Sequence, residues 1–183
     1  MHEIKLFRDS SPGGEFSIFE PLINASMQEE YTEPEGLEVI YISVFDHWLS
    51  EEEAEQQIVP YVVITDKLHK KTYSVDKTIE MVSSYYQNES KLLAWYILLY
   101  KSFKVAFFDK KKNSFAYFRN LENFVELCQK SIREEALLDI YIPECQCALL
   151  GKYDFTLPLY YKEESRLSNM LDLAQACGLH VLK

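Results

Sequence analysis

The sequence predicts an α+β protein of one domain, with a mixed or mostly antiparallel sheet packed against several helices. Strand-like and helix-like runs alternate along the 183 residues, and several strand-like runs are separated only by short polar turns. Short turns join antiparallel neighbours, whereas parallel strands need a long crossover, so frequent hairpins favour α+β over a doubly wound parallel sheet. A chain of this length suits one domain with its own core, and we expect residues 1–183 to form it.

The predicted elements follow from apolar spacing and from turn-forming residues. Helices are predicted over 16–31, 51–59, 75–100, 120–133 and 163–177. Strands are predicted over 37–45, 61–65, 70–75, 103–108, 114–118, 137–142, 153–161 and 180–182. Gly151 and Lys152 are predicted to form the turn of a hairpin whose second arm is 153–161.

Several boundaries have a specific chemical signal. Ser50 and Glu53 match a capping box at the start of the second helix. Gly178 followed by Leu179 is typical of a Schellman ending, in which glycine takes the left-handed backbone and an apolar residue follows. The polar run over 88–90 is a candidate break that would divide the helix at 75–100 into two. Pro158 lacks an N–H for a sheet ladder, so we expect 155–161 to be an edge strand or to be bulged at Pro158.

An exposed edge strand can pair with another chain. The segment Phe155–Tyr161 is therefore a candidate surface for association with a second copy of this protein. Nothing else in the sequence bears on the oligomeric state.

Positive charge is missing from the first third of the chain. Residues 9–66 contain no Lys or Arg and fourteen carboxylates, while the net charge of the whole chain is −10 and residues 67–183 are near neutral. Capping explains part of this tract, since acidic residues in a first turn complement the helix dipole. A single helix cannot explain 58 residues without a cation, so the tract also predicts a field that attracts a basic partner.

Acidic and aromatic residues are interleaved within this tract. Carboxylates can steer a basic protein towards a surface, and an aromatic residue such as Trp48 can anchor it. The predicted partner-binding residues are Glu29, Glu30, Glu33, Glu35, Trp48, Glu51, Glu52, Glu53 and Glu55.

An alternative interpretation is a small enzyme. Asp46 and His47 adjoin at the end of a predicted strand, where a carboxylate and an imidazole can act as an acid/base pair. Consecutive strand residues point to opposite faces, however, so the sequence leaves open whether the two side chains converge. A loop histidine, with Trp48 packed against the next helix, is the structural alternative.

A third interpretation comes from a resemblance to a known family. The run Asn113-Ser-Phe-Ala-Tyr-Phe-Arg119 partly resembles the RNP1 strand of RNA-recognition motifs, with Phe115 and Tyr117 at two of its aromatic positions. Asn113 and Ser114 stand at the leading basic and glycine positions, and Asn120 stands at the last aromatic position. The resemblance covers about eight residues and implies a single-strand RNA-binding module. A net charge of −10 argues against nucleic acid as the partner, because affinity for phosphate comes largely from Lys and Arg.

Other classes receive no support from the sequence. The longest apolar run, Leu92–Tyr100, has nine residues, whereas a membrane-spanning helix needs about 20. The four cysteines show no disulfide framework or metal spacing, and Cys145 and Cys147 are expected to be small core residues. We therefore expect a cytoplasmic protein without a metal or cofactor, in a reducing compartment and away from membranes.

These observations lead to one main expectation. The chain is predicted to be a non-enzymatic acidic binding protein for a basic protein, for example an inhibitor or immunity-type protein that neutralises a cationic enzyme. The acid/base enzyme and the RNA-binding module remain the alternatives.

Overall fold

A computed structural model describes residues 14–26, 34–65, 74–109, 113–152 and 154–183. Within these ranges the α-helices are α1 (Glu20–Ser26), α2 (Glu51–Gln57), α3 (Tyr61–Thr65), α4 (Val75–Ser102), α5 (Leu121–Ile132) and α6 (Ser168–Ala176). The strands are β1 (Glu38–Ser43), β2 (Ala106–Asp109), β3 (Ser114–Tyr117), β4 (Ile140–Ile142), β5 (Cys147–Leu149), β6 (Thr156–Tyr161) and β7 (His180–Leu182). Short 3₁₀ turns lie at Ser17–Phe19, Pro143–Cys145 and Glu164–Arg166.

The strands of the described residues form one antiparallel sheet in the order β3-β2-β4-β5-β6-β1-β7. This architecture confirms the predicted α+β class with its antiparallel sheet. β1 lies between β6 and β7, and its residues pair in register with Tyr161–Thr156 on one side. The two edge strands of the sheet are β3, which forms a hairpin with β2, and β7, at the end of the described chain.

Both faces of the sheet are apolar, and the chain covers them unequally. On one face, α4, α5 and α6 pack onto alternate strand residues such as Ile42 and Leu159, which are fully buried. On the other face a smaller cluster forms where the N-terminal segment places Phe16 on Phe115 and Phe19 on Tyr141. Alternation of side chains along each strand produces the two faces.

The capping signals of the sequence are present in the structure. The Ser50 hydroxyl accepts from the Glu53 N–H, and the Glu53 carboxylate accepts from the Ser50 N–H, as a capping box requires. The α6 helix ends in a Schellman motif, because Gly178 has φ of 72° and Leu179 donates its N–H to the Ala174 carbonyl. Cys145 and Cys147 are both buried, as the sequence predicted.

The strand predicted over 61–65 is wrong, since these residues form α3. Tyr61 and Ile64 pack against the main core, whereas Val62 is 51% exposed. Spacing of three residues therefore decides which side chains face inward, and a short apolar run does not by itself distinguish this from strand alternation. Residues 70–73 of the next predicted strand lie outside the described residues, and Val75 begins α4.

The prediction that Phe155–Tyr161 forms an edge strand is also wrong. β6 lies inside the sheet, between β5 and β1, so it does not offer a free edge to a second copy. The Pro158 carbonyl accepts from Leu150 N–H at 3.0 Å, and the β5 ladder already ends with Leu149 opposite Leu159. The missing N–H of Pro158 therefore falls just beyond the last paired residue of β5, where it interrupts no ladder bond.

The polar run at 88–90 lies within α4 and does not divide the helix, because the Glu89 side chain is buried and hydrogen-bonded. Glu89 is 3% exposed, and its carboxylate accepts from both the Nε and Nη2 of Arg133, at 3.2 and 2.8 Å. Gln129 adds a third bond at 2.8 Å, and the Arg133 guanidinium lies 4.8 Å from the Tyr61 ring centroid. This network joins α4 to α5 and places α3 against both.

Replacing Glu89 with alanine is expected to lower the free energy of unfolding by about 3 kcal/mol, because Arg133 loses the partner of its partly buried charge. Urea unfolding followed by circular dichroism measures the change. Glu126→Ala is the matched control: its exposed pair with Lys130 contributes far less. Equal losses of unfolding free energy in the two variants would contradict the conclusion that the buried Glu89 pair stabilises the fold more than the exposed Glu126 pair does.

Candidate protein-binding surface

The α2 helix follows the end of β1 and presents its side chains outward. It is seven residues long and none of them is buried. Glu51, Glu52 and Glu55 are exposed, and Glu53 is half-exposed because it turns back into the capping box. A helix with no buried residue contributes little to the core, so its carboxylates are free to define a surface.

The structure brings together only part of the predicted acidic set. Glu35 is exposed but lies before β1, while α2 lies after it, and a six-residue strand spans about 20 Å. Glu29, Glu30 and Glu33 lie outside the described residues. We therefore define the acidic surface as Trp48 with Glu51, Glu52, Glu53 and Glu55.

Trp48 lies two residues before Ser50, the N-cap of this helix, and is 52% exposed. Its indole N–H donates to the Lys183 carbonyl at 3.2 Å, and its ring meets Tyr41 edge-on with 4.8 Å between centroids. The Lys183 ammonium is paired with Glu164 at 3.1 Å. The indole is thus held in one orientation on β1 and β7 while half of its surface faces solvent.

Asp46 and His47 converge, a point that the sequence left open. The Asp46 carboxylate lies 2.6 Å from His47 Nδ1, and Glu53 Oε1 lies 3.3 Å from His47 Nε2. The hydrogen bond to Asp46, followed by that to Glu53, raises the pKa of His47. The same bond to His47 lowers the pKa of Asp46, whereas the pKa of Glu53 is lowered mainly by its bonds to Ser50.

This arrangement has a chemical consequence. A carboxylate faces each ring nitrogen, so the doubly protonated imidazolium is the favoured form of His47. A general base needs an unprotonated nitrogen directed at its substrate. The geometry therefore favours His47 as a link between the β1 end and α2 rather than as a catalytic base.

The two aromatic residues of the RNP1-like run, Phe115 and Tyr117, lie in β3 and are partly buried against the N-terminal segment. The Phe115 ring is stacked on Phe16, with centroids 4.2 Å apart and planes 10° apart. The Tyr117 hydroxyl donates to the Glu15 carboxylate. RNA bases need an open aromatic face on which to stack, and Phe16 occupies one face of Phe115.

A cleft beside the β2–β3 hairpin was not predicted from the sequence. The cleft has a volume of about 650 Å³ and is formed by the segments around Phe16, Tyr100, Phe103 and Phe118. Its residues come from distant parts of the chain, so no local motif marks it. The available signal was the density of aromatic residues on both sides of the predicted hairpin at 103–118.

Comparison of the chain with known protein families, with curated protein sequences and with solved structures gave no match in any of the three. In the described part of the chain, no helix has the length and apolar character to span a bilayer. Nor does any group of three or more His, Cys, Asp or Glu there have the geometry to hold a metal ion.

We expect the pKa of His47 to lie above its ordinary value of about 6.5, and Asp46→Asn to return it towards that value. The raised pKa means that protonated His47 stabilises the folded state. This contribution is complete below the ordinary pKa and is lost as the pH rises through the folded-state pKa. A titration of the His47 ring protons by NMR measures the His47 pKa in the unaltered protein and in Asp46→Asn.

Glu35→Gln provides the control for this titration, since it removes a carboxylate at the other end of β1. It should leave the His47 titration unchanged. A His47 pKa at or below the ordinary value in the unaltered protein would show that the two carboxylates do not hold the ring in solution.

Proposed function

We propose that this protein is a non-enzymatic binding protein whose acidic surface engages a basic protein. A suitable role is that of an inhibitor or immunity-type protein that covers the substrate groove of a cationic enzyme, such as a nuclease. The observation that carries the proposal is the exposure of the α2 carboxylates next to an exposed and oriented indole.

Electrostatics supports the first part of this proposal. Glu51, Glu52 and Glu55 project from two turns of one helix, and the surrounding sequence from residue 9 to 66 has no Lys or Arg. Among the described ion pairs, the one that involves an α2 carboxylate joins Glu53 to His47. Like charges concentrated in this way attract a partner of opposite sign and accelerate its association.

The fixed position of Trp48 supports the second part. Residues that contribute most to binding are often aromatic, and Trp is prominent among them. Contacts with Tyr41 and with the Lys183 carbonyl already orient the indole, so the Trp48 side chain loses less conformational freedom when a partner binds it. Charge then provides the attraction, and Trp48 provides the apolar contact.

The occupied nitrogens of His47 also favour binding over catalysis. The imidazole is engaged by Asp46 and Glu53 within the surface, where it supports the arrangement of the carboxylates. A basic enzyme that normally binds phosphates would meet carboxylates here in place of its substrate. That substitution is the physical basis for an inhibitor-like role.

Reversal of three charges tests the electrostatic part. A bait carrying Glu51→Lys, Glu52→Lys and Glu55→Lys should retain at least about tenfold less of the basic partner from lysate of the native cell at low salt. Glu53 is left unchanged because it caps α2. Binding to the unaltered bait should itself weaken at high salt. Retained proteins are identified by mass spectrometry.

The matched control bait carries Glu122→Lys, Glu135→Lys and Asp172→Lys. These exposed residues lie on or next to α5 and on α6, and the control has the same net charge as the test bait. It should retain the partner. If both baits lose it equally, net charge rather than this surface governs binding, and if neither loses it the proposed surface is wrong.

Removal of the indole tests the aromatic part. We expect Trp48→Ala to weaken binding of the retained partner by about 2 kcal/mol, while the salt dependence of binding stays as it was. Isothermal titration calorimetry at two salt concentrations separates the two effects. Val62→Ala, at another exposed apolar side chain, is the control. An unchanged affinity in Trp48→Ala would remove the indole from the interface.

A further inference from the structure

The cleft beside the β2–β3 hairpin has the dimensions of a small-molecule site. Its volume of about 650 Å³ lies in the range of about 300–1,000 Å³ that is typical of ligand pockets. Six aromatic side chains form most of its wall: Phe16, Tyr100, Phe103, Phe115, Tyr117 and Phe118. Such walls favour a planar ring, which can stack on them or meet them edge-on.

Packing behind the wall fixes the orientation of these rings. Phe118 lies edge-on to the fully buried Phe124, with 4.9 Å between centroids, and Tyr100 stacks on the same ring at 5.3 Å. On the opposite side, Phe115 stacks on Phe16 at 4.2 Å. The cleft is therefore formed before any ligand arrives, which reduces the entropy that binding must overcome.

The charged groups of the cleft indicate that its ligand also carries a negative charge. Lys104, in the segment before β2, and Arg119, in the segment after β3, line the cleft together with Glu15. Glu15 already accepts a hydrogen bond from the Tyr117 hydroxyl. In a protein whose net charge is −10, the described lining of this cleft has more cations than carboxylates. An ammonium and a guanidinium are suitable partners for a carboxylate or a phosphate.

We propose that this cleft binds a small planar aromatic molecule that carries an anionic group. The ring lies among the aromatic side chains, and the anion lies towards Lys104 and Arg119. Carboxylate and phosphate share this chemistry, so an aromatic carboxylic acid and a nucleotide are both suitable. The cleft shares no residue with the acidic surface, and the two proposals are independent.

Fluorescence titration with 8-anilinonaphthalene-1-sulfonate tests the proposal, because this probe is an aromatic anion. N-phenyl-1-naphthylamine has the same rings without the sulfonate and is the matched neutral probe. We expect saturable binding of the anionic probe at one site, and affinity at least about tenfold higher than that of the neutral probe. Equal affinities, or no saturable binding, would overturn the proposal.

Variants locate the binding site of the probe. The double variant Lys104→Glu, Arg119→Glu should weaken anionic-probe binding by at least about tenfold, since the two groups next to the sulfonate then repel it. Lys152→Glu is the charge control, because Lys152 follows β5 at the opposite end of β4 from Lys104. Trp48→Ala excludes binding at the exposed indole. Circular dichroism and the melting temperature of each variant establish that it is folded.

Displacement of the probe distinguishes the two ligand sources. Adenosine monophosphate provides a planar base with a phosphate, and indole-3-acetate provides a planar ring with a carboxylate. Displacement by one of them assigns the anion, and displacement by both supports the shared chemistry. If neither displaces the probe at millimolar concentration, or if the double variant binds the probe as the control does, the proposal fails.

Discussion

A sheet that is apolar on both faces must be covered on both, and this requirement shapes the whole molecule. The long helix α4, with α5 and α6, covers one face completely enough that Ile42, Leu159 and Trp95 are each at 0% exposure. The other face receives a smaller cover from the N-terminal segment, through Phe16 and Phe19. Burial of this apolar surface is the largest favourable contribution to the fold.

The two candidate sites lie at the borders of that smaller cover. At one border the rings of the β2–β3 hairpin meet Phe16 and leave the aromatic cleft between them. At the other, Val39 and Tyr41 of β1 point to the same face, and Trp48 packs on Tyr41 while staying half exposed. A sheet whose second face is only partly covered therefore gives this protein both an aromatic cleft and a half-exposed indole.

Local signals predicted much of the fold because they depend on few residues. Ser50 with Glu53 before α2 and Gly178 after α6 each form the cap that their sequence indicates. The errors arose where tertiary context decides. The run at 61–65 is apolar enough for a strand, but the core selects the spacing of Tyr61 and Ile64 and makes it a helix. β6 can lie inside the sheet despite Pro158 because the neighbouring strand β5 ends beside this residue. The sequence around Pro158 does not show where β5 ends.

The same distinction between local signals and tertiary context applies to the candidate sites. The acidic surface is built mainly from consecutive residues, so its α2 carboxylates and Trp48 were predictable, whereas the approach of His47 to Glu53 required the turn between them. The cleft joins residues about 100 positions apart, such as Phe16 and Phe118, and no local pattern predicts it. Where a function depends on a surface formed from one segment, the sequence is informative, and where it depends on packing between segments, it is not.

The most direct test of the central claim is a footprint, by hydrogen–deuterium exchange, of the complex between this protein and any basic protein that it retains from lysate. The account predicts that binding slows exchange at residues 46–57 and at the neighbouring β7 strand, with little change at α5 or at the β2–β3 hairpin. Protection confined to α5, α6 or the hairpin, with none at α2, would contradict the account.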